Sequence, residues 1–130
     1  MRMPLLDTNC DRECYVTAQK KAWDVSIYGG ARGLQSWAQF ATEHGKPLSI
    51  PEWGVWARPD GIGGHDNPDY VQRMYDFISD PANNVAYAAY FEYDYEDGQG
   101  GQHSLEQSFP NSAKKFKELF VPLYQQAAGA

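Results

Sequence analysis

No run of about 18 apolar residues, the length needed to cross a bilayer, occurs anywhere in the 130-residue chain. Nothing in the sequence is therefore expected to span a membrane. The opening stretch, MRMPLLDTNCDREC, is too short and too soon charged to form the apolar core of a secretory leader. That leaves an intracellular protein, or a chain that is mature or truncated. A basic surface is missing as well. Eleven Lys and Arg stand against 17 Asp and Glu, the formal charge is -6, and the basic residues gather only at Lys114-Lys115-Lys117. A nucleic-acid partner needs a positive footprint to neutralise phosphates, so none is expected.

Cysteine is scarce, with Cys10 and Cys14 alone in a C-x3-C spacing. With no histidine beside them and no second pair, zinc is a weak reading. On a helix their Cα atoms would stand about 6 Å apart, at the edge of disulfide reach, and incidental thiols are expected. The glycine-rich pieces GIGG and GQGG carry neither a following Lys-Ser/Thr nor a G-x-G-x-x-G lead from a strand, so they are not phosphate loops. The absence of G-x-S-x-G removes the nucleophile elbow of a serine hydrolase. Neither a metal nor a cofactor is expected.

Aromatic side chains, by contrast, are plentiful: nine Tyr, six Phe and four Trp make up 15% of the chain. Such a share often lines sites for flat or ring-shaped ligands, although packing uses aromatics too. A 42% hydrophobic and 22% charged composition is that of a soluble globular protein. The length suits one domain with a real core. The charge balance is compatible with a neutral ligand such as a sugar.

Along the chain, residues 1–30 show no strong period and form a poorly defined lead-in; CYVTAQKKAW could be a short helix and SIYGGARG is a glycine-punctuated turn. From Leu34 onward Leu34, Trp37, Ala38 and Ala41 make a helical stripe that predicts a helix near 33–44, stopped by His44-Gly45. A short buried strand is expected near 46–51. After a Gly-, Pro- and Asp-rich loop, Asn67-Pro68 caps a helix near 68–79 with Val71, Met74, Tyr75 and Ile78 on one face. NVAYAAYFEYD predicts a second strand near 85–92, largely apolar or small on both faces, as in a parallel sheet covered on both sides. A last helix near 110–125 carries Phe116, Leu119, Phe120 and Leu123 on one side. This order predicts an α/β fold with parallel strands, and ligands in such folds bind at the carboxyl ends of the strands.

Two carboxylates stand at those ends. Glu52 follows LSIP, and Glu92 follows AAYF. On neighbouring parallel strands about 4.8 Å apart, they could converge at one mouth, and paired carboxylates are what glycoside hydrolysis requires. The plainer view of Glu92, beside Asp94, Glu96 and Asp97, is a solvated acidic loop, and it is the favoured one. Glu52, between Pro51 and Trp53, is a constrained carboxylate, as a positioned nucleophile should be. Trp53 and Trp56 flank the first mouth, with Tyr93 and Tyr95 on the second loop. Aromatic faces stack on pyranose rings, so these four are candidate substrate-binding residues; one tryptophan could equally plug the core. His65, beside Asp66, could ligate a metal or orient a carboxylate, though a lone histidine in a glycine-rich loop more often does neither.

The stretch FATEHGKPLSIPEWG resembles the seventh-strand region of retaining (β/α)8-barrel glycoside hydrolases, most nearly family-26-like endoglucanases and β-mannanases. GGHDNPDYVQRMYDFI and NNVAYAAYFEYD resemble the seventh helix and eighth strand, and FPNSAKKFKELF resembles the closing helix. The resemblance covers roughly residues 34–122. It implies Glu52 as catalytic nucleophile, a β-1,4-linked substrate (cellulose-like β-glucan or β-mannan) and a secreted enzyme. It also marks departures. The family's acid/base glutamate closes strand four, and nothing in this chain matches strands one to six. Phe91-Glu92-Tyr93 stands where many members carry a tryptophan at the end of strand eight. A closed barrel takes about 250 residues, so residues 31–125 are expected to form a partial (β/α)8 barrel within a single domain, completed by self-association as a homo-oligomer or rearranged into a compact non-barrel α/β form. Glu92, Asp94 or a neighbouring subunit would then supply the missing acid. The alternative is a non-catalytic carbohydrate-binding or structural fragment.

Overall fold

Apolar periodicity becomes helix where the backbone groups at the ends find partners, and the clearest case lies between Gly33 and Lys46. In a computed structural model of the chain, the described residues are 33–61 and 63–129, together with 11, 13, 14, 17, 20, 23, 26, 27, 30 and 31. Helix α1 spans Leu34–Glu43. It ends as its sequence predicts, with Gly45 left-handed at φ 62°. The Gly45 N–H donates to the Thr42 carbonyl at 3.0 Å and the Lys46 N–H to the Ala41 carbonyl at 2.9 Å. These are the two bonds of a Schellman stop, which satisfies carbonyls the helix leaves open.

Two short strands precede it, β1 (Ser26–Ile27) and β2 (Gly30–Ala31), paired antiparallel. The glycine-punctuated turn expected there lies partly outside the described residues. Of the short helix expected in CYVTAQKKAW, Cys14, Thr17 and Lys20 are helical, and the residues between them lie outside the described ones. The expectation of incidental thiols is corrected at Cys14, which is joined in a disulfide; Cys10 lies outside the described residues.

Strands β3 (Leu48–Trp53) and β4 (Val85–Tyr90) pair in parallel, Leu48 opposite Val85, Ile50 opposite Ala88 and Trp53 opposite Tyr90. Between them in sequence run helix α2 (Pro68–Ser79) and a 3-10 turn at Pro81–Asn83. The expected β-α-β order is thus present, with strand ends shifted from 46–51 and 85–92. β3 does not stop at Pro51. Its register shifts between Ile50 and Trp53, and such an irregularity tolerates a proline that has no N–H for the ladder. The sheet is open and has two strands, and no closed barrel forms among the described residues. β4 departs from the doubly covered strand expected of it: Ala86, Tyr87 and Ala89 are exposed, Tyr87 at 57%.

Helix α3 (Leu105–Ser108) was not foreseen, because four residues are too few to show a period; α4 (Pro110–Ala128) follows it directly. The chain falls into two compact units, residues 1–53 with 78–90, and residues 54–77 with 91–130. Buried Ala38, Ile50 and Trp53 form the core of the first. Trp37, expected on the buried stripe of α1, is instead exposed and meets Phe40 edge-on at 5.6 Å. The core of the second gathers Val55, Val71, Met74, Phe77, Leu105 and Phe109. Asn67 caps α2 as predicted, accepting from the Tyr70 N–H at 3.0 Å. The expected face of α4 is half-buried, with Phe116 stacked on Phe120 at 4.6 Å and Tyr75 edge-on to Phe120 at 5.5 Å. No helix among the described residues is long and apolar enough to cross a membrane.

Candidate functional site

In the first unit, Glu52 lies inside β3, within the irregular step that also holds Pro51. Ile50 and Trp53 are buried three residues apart, and Pro51 and Glu52 between them are exposed. Plain two-residue alternation would put Ile50 and Glu52 on one face. The irregular step breaks that rule and turns Glu52 outward. Its carboxylate makes no hydrogen bond or ion pair among the described residues. Trp53 is only 7% exposed, and its ring meets Tyr90 edge-on at 5.1 Å. It plugs the core, one of the two alternatives its sequence left open.

In the second unit the stretch Phe91-Glu92-Tyr93-Asp94-Tyr95 sorts its side chains with a period of two. Ring contacts link Phe91 to Tyr93 at 6.2 Å and Tyr93 to Tyr95 at 5.1 Å. The two carboxylates between them bond instead to residues 103–108. Such alternation is what an extended segment imposes.

Asp94 Oδ1 accepts the backbone N–H groups of His103 and Ser104, both at 2.7 Å, and Oδ2 accepts the Ser108 hydroxyl at 2.8 Å. Burial pushes its carboxyl upward. The hydrogen bonds from Ser104, Ser108 and His103, with the attraction of the His103 charge, outweigh that and hold it below the ordinary 3.8. Glu92 Oε1 accepts the Ser104 hydroxyl at 2.5 Å and the Glu106 N–H at 3.4 Å, while Oε2 accepts the Leu105 N–H at 2.9 Å. Those N–H groups open α3, so Glu92 serves as a helix cap. A proton donor needs an oxygen carrying a proton toward its substrate, and both oxygens of Glu92 are occupied as acceptors.

The aromatic side of this segment meets the loop that begins at Trp56. The His103 ring stacks on Trp56 at 5.4 Å and 18°, and stands edge-on to Phe91 at 4.9 Å and to Tyr95 at 6.2 Å. The Trp56 indole N–H donates to the Gly100 carbonyl at 2.8 Å. Ala57 and Gln102 exchange both backbone bonds at 2.9 Å. The Arg58 guanidinium lies 5.1 Å over the indole and is itself held by Asp60, Nη2 to Oδ2 at 2.6 Å. Two glycines make these approaches possible. A Cβ on Gly100 would overlap the Tyr95 ring, and one on Gly101, at φ +77°, would overlap the Ala57 carbonyl. The outcome is an exposed aromatic patch: Trp56 at 38%, Tyr93 at 52% and Tyr95 at 41%.

Of the candidate residues, the fold therefore brings Trp56 and Tyr95 against His103, with Tyr93 joined to them through Phe91 and Tyr95 and Glu92 turned away as a cap. His65 meets this group through the Trp56 backbone. It sits in a left-handed turn at φ 50°, its ring Nε2 3.1 Å from the Gly61 carbonyl and its own N–H on the Trp56 carbonyl at 3.0 Å. Asp66 beside it caps α4 through Asn111 and Ser112. No cluster of His, Cys, Asp and Glu among the described residues is arranged to hold a metal ion. Sequence reasoning missed His103, Arg58, Phe91 and the anchoring role of Asp94. The alternation in FEYDY was the available signal for the last two. No family model matches this chain, and no curated protein or solved structure matches it either.

Proposed function

We propose that the chain is part of a (β/α)8-barrel glycoside hydrolase acting on a β-1,4-linked polysaccharide, cellulose-like β-glucan or β-mannan, with Glu52 as the nucleophile. The observation that carries this reading is Glu52 itself. It is an exposed carboxylate without a hydrogen-bond or ion-pair partner among the described residues, turned out of a parallel strand by an irregular step and flanked by a rigid proline and a core tryptophan. A nucleophile needs a fixed approach to the anomeric carbon and an unoccupied oxygen, and this side chain has the local constraint for it. The likeness of FATEHGKPLSIPEWG to the seventh strand of such barrels supports the same role.

In this reading the proton donor is not Glu92, whose oxygens cap α3, nor Asp94, which anchors residues 103–108. It comes from outside the described residues, from a second copy or from further barrel strands. The open two-stranded sheet and the exposed β4 residues favour completion by association. The aromatic patch around His103 supports a second reading, in which the chain binds the polysaccharide without cleaving it.

Glu52→Gln separates the two. Replacing an exposed carboxylate by its amide should leave thermal unfolding within about 2 °C, since surface changes stay within roughly 0.5 kcal/mol. Reducing-sugar release from β-glucan or β-mannan should fall at least about a thousandfold. Full release by the variant sinks the nucleophile. A wild-type chain that is retarded in a glucan or mannan affinity gel yet releases no sugar favours the binding reading.

A further inference from the structure

We infer that Asp94 is a positioning residue of the carbohydrate site, the side chain that fixes His103 and through it sets the Trp56–Tyr93–Tyr95 patch. This rests on the polysaccharide reading above and adds to it the residue on which the ring geometry depends. The patch is built from loop segments rather than from strand residues. Phe91, Tyr93 and Tyr95 follow the end of β4, and His103 lies eight residues beyond Tyr95 across a glycine-rich turn. Such a turn by itself carries too much conformational freedom to hold rings in register.

What closes it is a short set of bonds. Asp94 takes two consecutive backbone N–H groups at 2.7 Å, those of His103 and Ser104, and so fixes the backbone at the point from which the imidazole projects. The Tyr95 N–H donates to the Gly101 carbonyl at 3.2 Å and the Trp56 indole to Gly100 at 2.8 Å. His103 is the ring that the others share: Trp56 on its face, Phe91 and Tyr95 on edges. A charged acceptor holding two amide donors is stronger than a neutral one. Sugar-stacking surfaces gain affinity chiefly from rings ordered before the ligand arrives, so loosening His103 costs binding even though Asp94 touches no sugar.

The test uses the full chain, with two readouts. Hydrogen exchange of the Trp56 indole N–H, identified by its loss in Trp56→Phe, reports whether the patch is held. Retardation by soluble β-glucan and β-mannan in an affinity gel reports binding. Asp94→Ala should speed indole exchange by about tenfold or more and weaken retardation by about tenfold. Asp94→Asn, which keeps one acceptor oxygen, should recover most of both. Asp66→Asn, a helix-cap change elsewhere in the unit, should lower the melting temperature and leave both readouts unchanged. Indole exchange as slow in Asp94→Ala as in the wild type overturns the assignment of Asp94. Equal losses in Asp66→Asn overturn it too, since the effect would then follow stability alone. Fast exchange in Asp94→Ala with a wild-type chain that neither polysaccharide retards overturns the polysaccharide reading and, with it, the place of Asp94 in a sugar site.

Discussion

Removing Asp66 tests how α4 is held. Its Oδ1 accepts both the N–H and the hydroxyl of Ser112 at 2.7 Å, and its Oδ2 accepts the N–H and side-chain amide of Asn111 at 3.1 and 2.9 Å. Ser112 is fully buried in the folded chain, and its N–H and hydroxyl both rely on this acceptor. Loss of a helix cap costs about 0.5–2 kcal/mol, and a buried hydroxyl and amide left unsatisfied cost about 1–3 kcal/mol more. The bonds share one carboxylate and do not add in full, which puts Asp66→Ala at about 3 kcal/mol, a large share of the roughly 5–15 kcal/mol that holds a domain together. For a chain of this length that is a fall of about 10–15 °C in Tm, read by circular dichroism at pH 7. Asp66→Asn keeps one oxygen for Ser112 and should lose about half as much.

The pH dependence fixes the sign. Burial raises the Asp66 carboxyl, but the bonds from Ser112 and Asn111 outweigh it and hold it below 3.8. A depressed carboxylate contributes stability above its unfolded value and loses it as pH falls through the folded one. The gap between wild type and Asp66→Ala should therefore be full at pH 7 and shrink as the pH falls below 3.8. A gap under about 2 °C at pH 7, or one that stays constant into that acid range, would refute the cap.

Two further outcomes follow from the loops. Gly101→Ala, at φ +77° and with its Cβ 2.9 Å from the Trp56 indole nitrogen, should cost about 2 kcal/mol or more and redden Trp56 emission as the indole loosens from the Gly100 carbonyl. Gly98→Ala, also left-handed at φ +70° but in open space, should cost only the backbone term of about 1 kcal/mol and leave the emission unchanged; equal effects at the two positions would undo the packing argument.

The helices were legible because their signals are local. Asn67-Pro68 opens α2, Gly45 ends α1, and the 3.6-residue stripe of α2 lands on fully buried Val71 and Met74. The β-α-β order followed from them. Pro51 misled about where β3 ends, since a proline can close a strand or sit in an irregular step, and only the partner strand decides. Trp37 misled in another way: a stripe shows which residues share a face, not whether anything covers that face. The acidic run after β4 was harder still. Whether Glu92 and Asp94 are solvated depends on amide groups 9 to 14 residues away. Those lie in and just before a four-residue helix with no readable period. His103, a lone histidine in sequence, becomes the centre of the patch only through contacts made across that distance.

Glu92 carries the sharpest difference between a carboxylate that reacts and one that holds structure. As the proton donor of a hydrolase it would be needed for turnover and nearly neutral for folding. As the cap of α3 it has the opposite profile. In Glu92→Gln one oxygen remains to accept from Ser104, but the amide –NH2 then faces the Leu105 N–H, donor against donor. That mismatch predicts a loss of about 1–2 kcal/mol and a Tm lower by about 4–8 °C. Turnover per folded molecule should stay within about twofold of the wild type, because removing a true acid costs about 100-fold or more. The check is calorimetry beside reducing-sugar release on the same preparation. An unchanged Tm with abolished release would return Glu92 to the chemistry. A lowered Tm with release intact leaves Glu52 needing a donor from elsewhere.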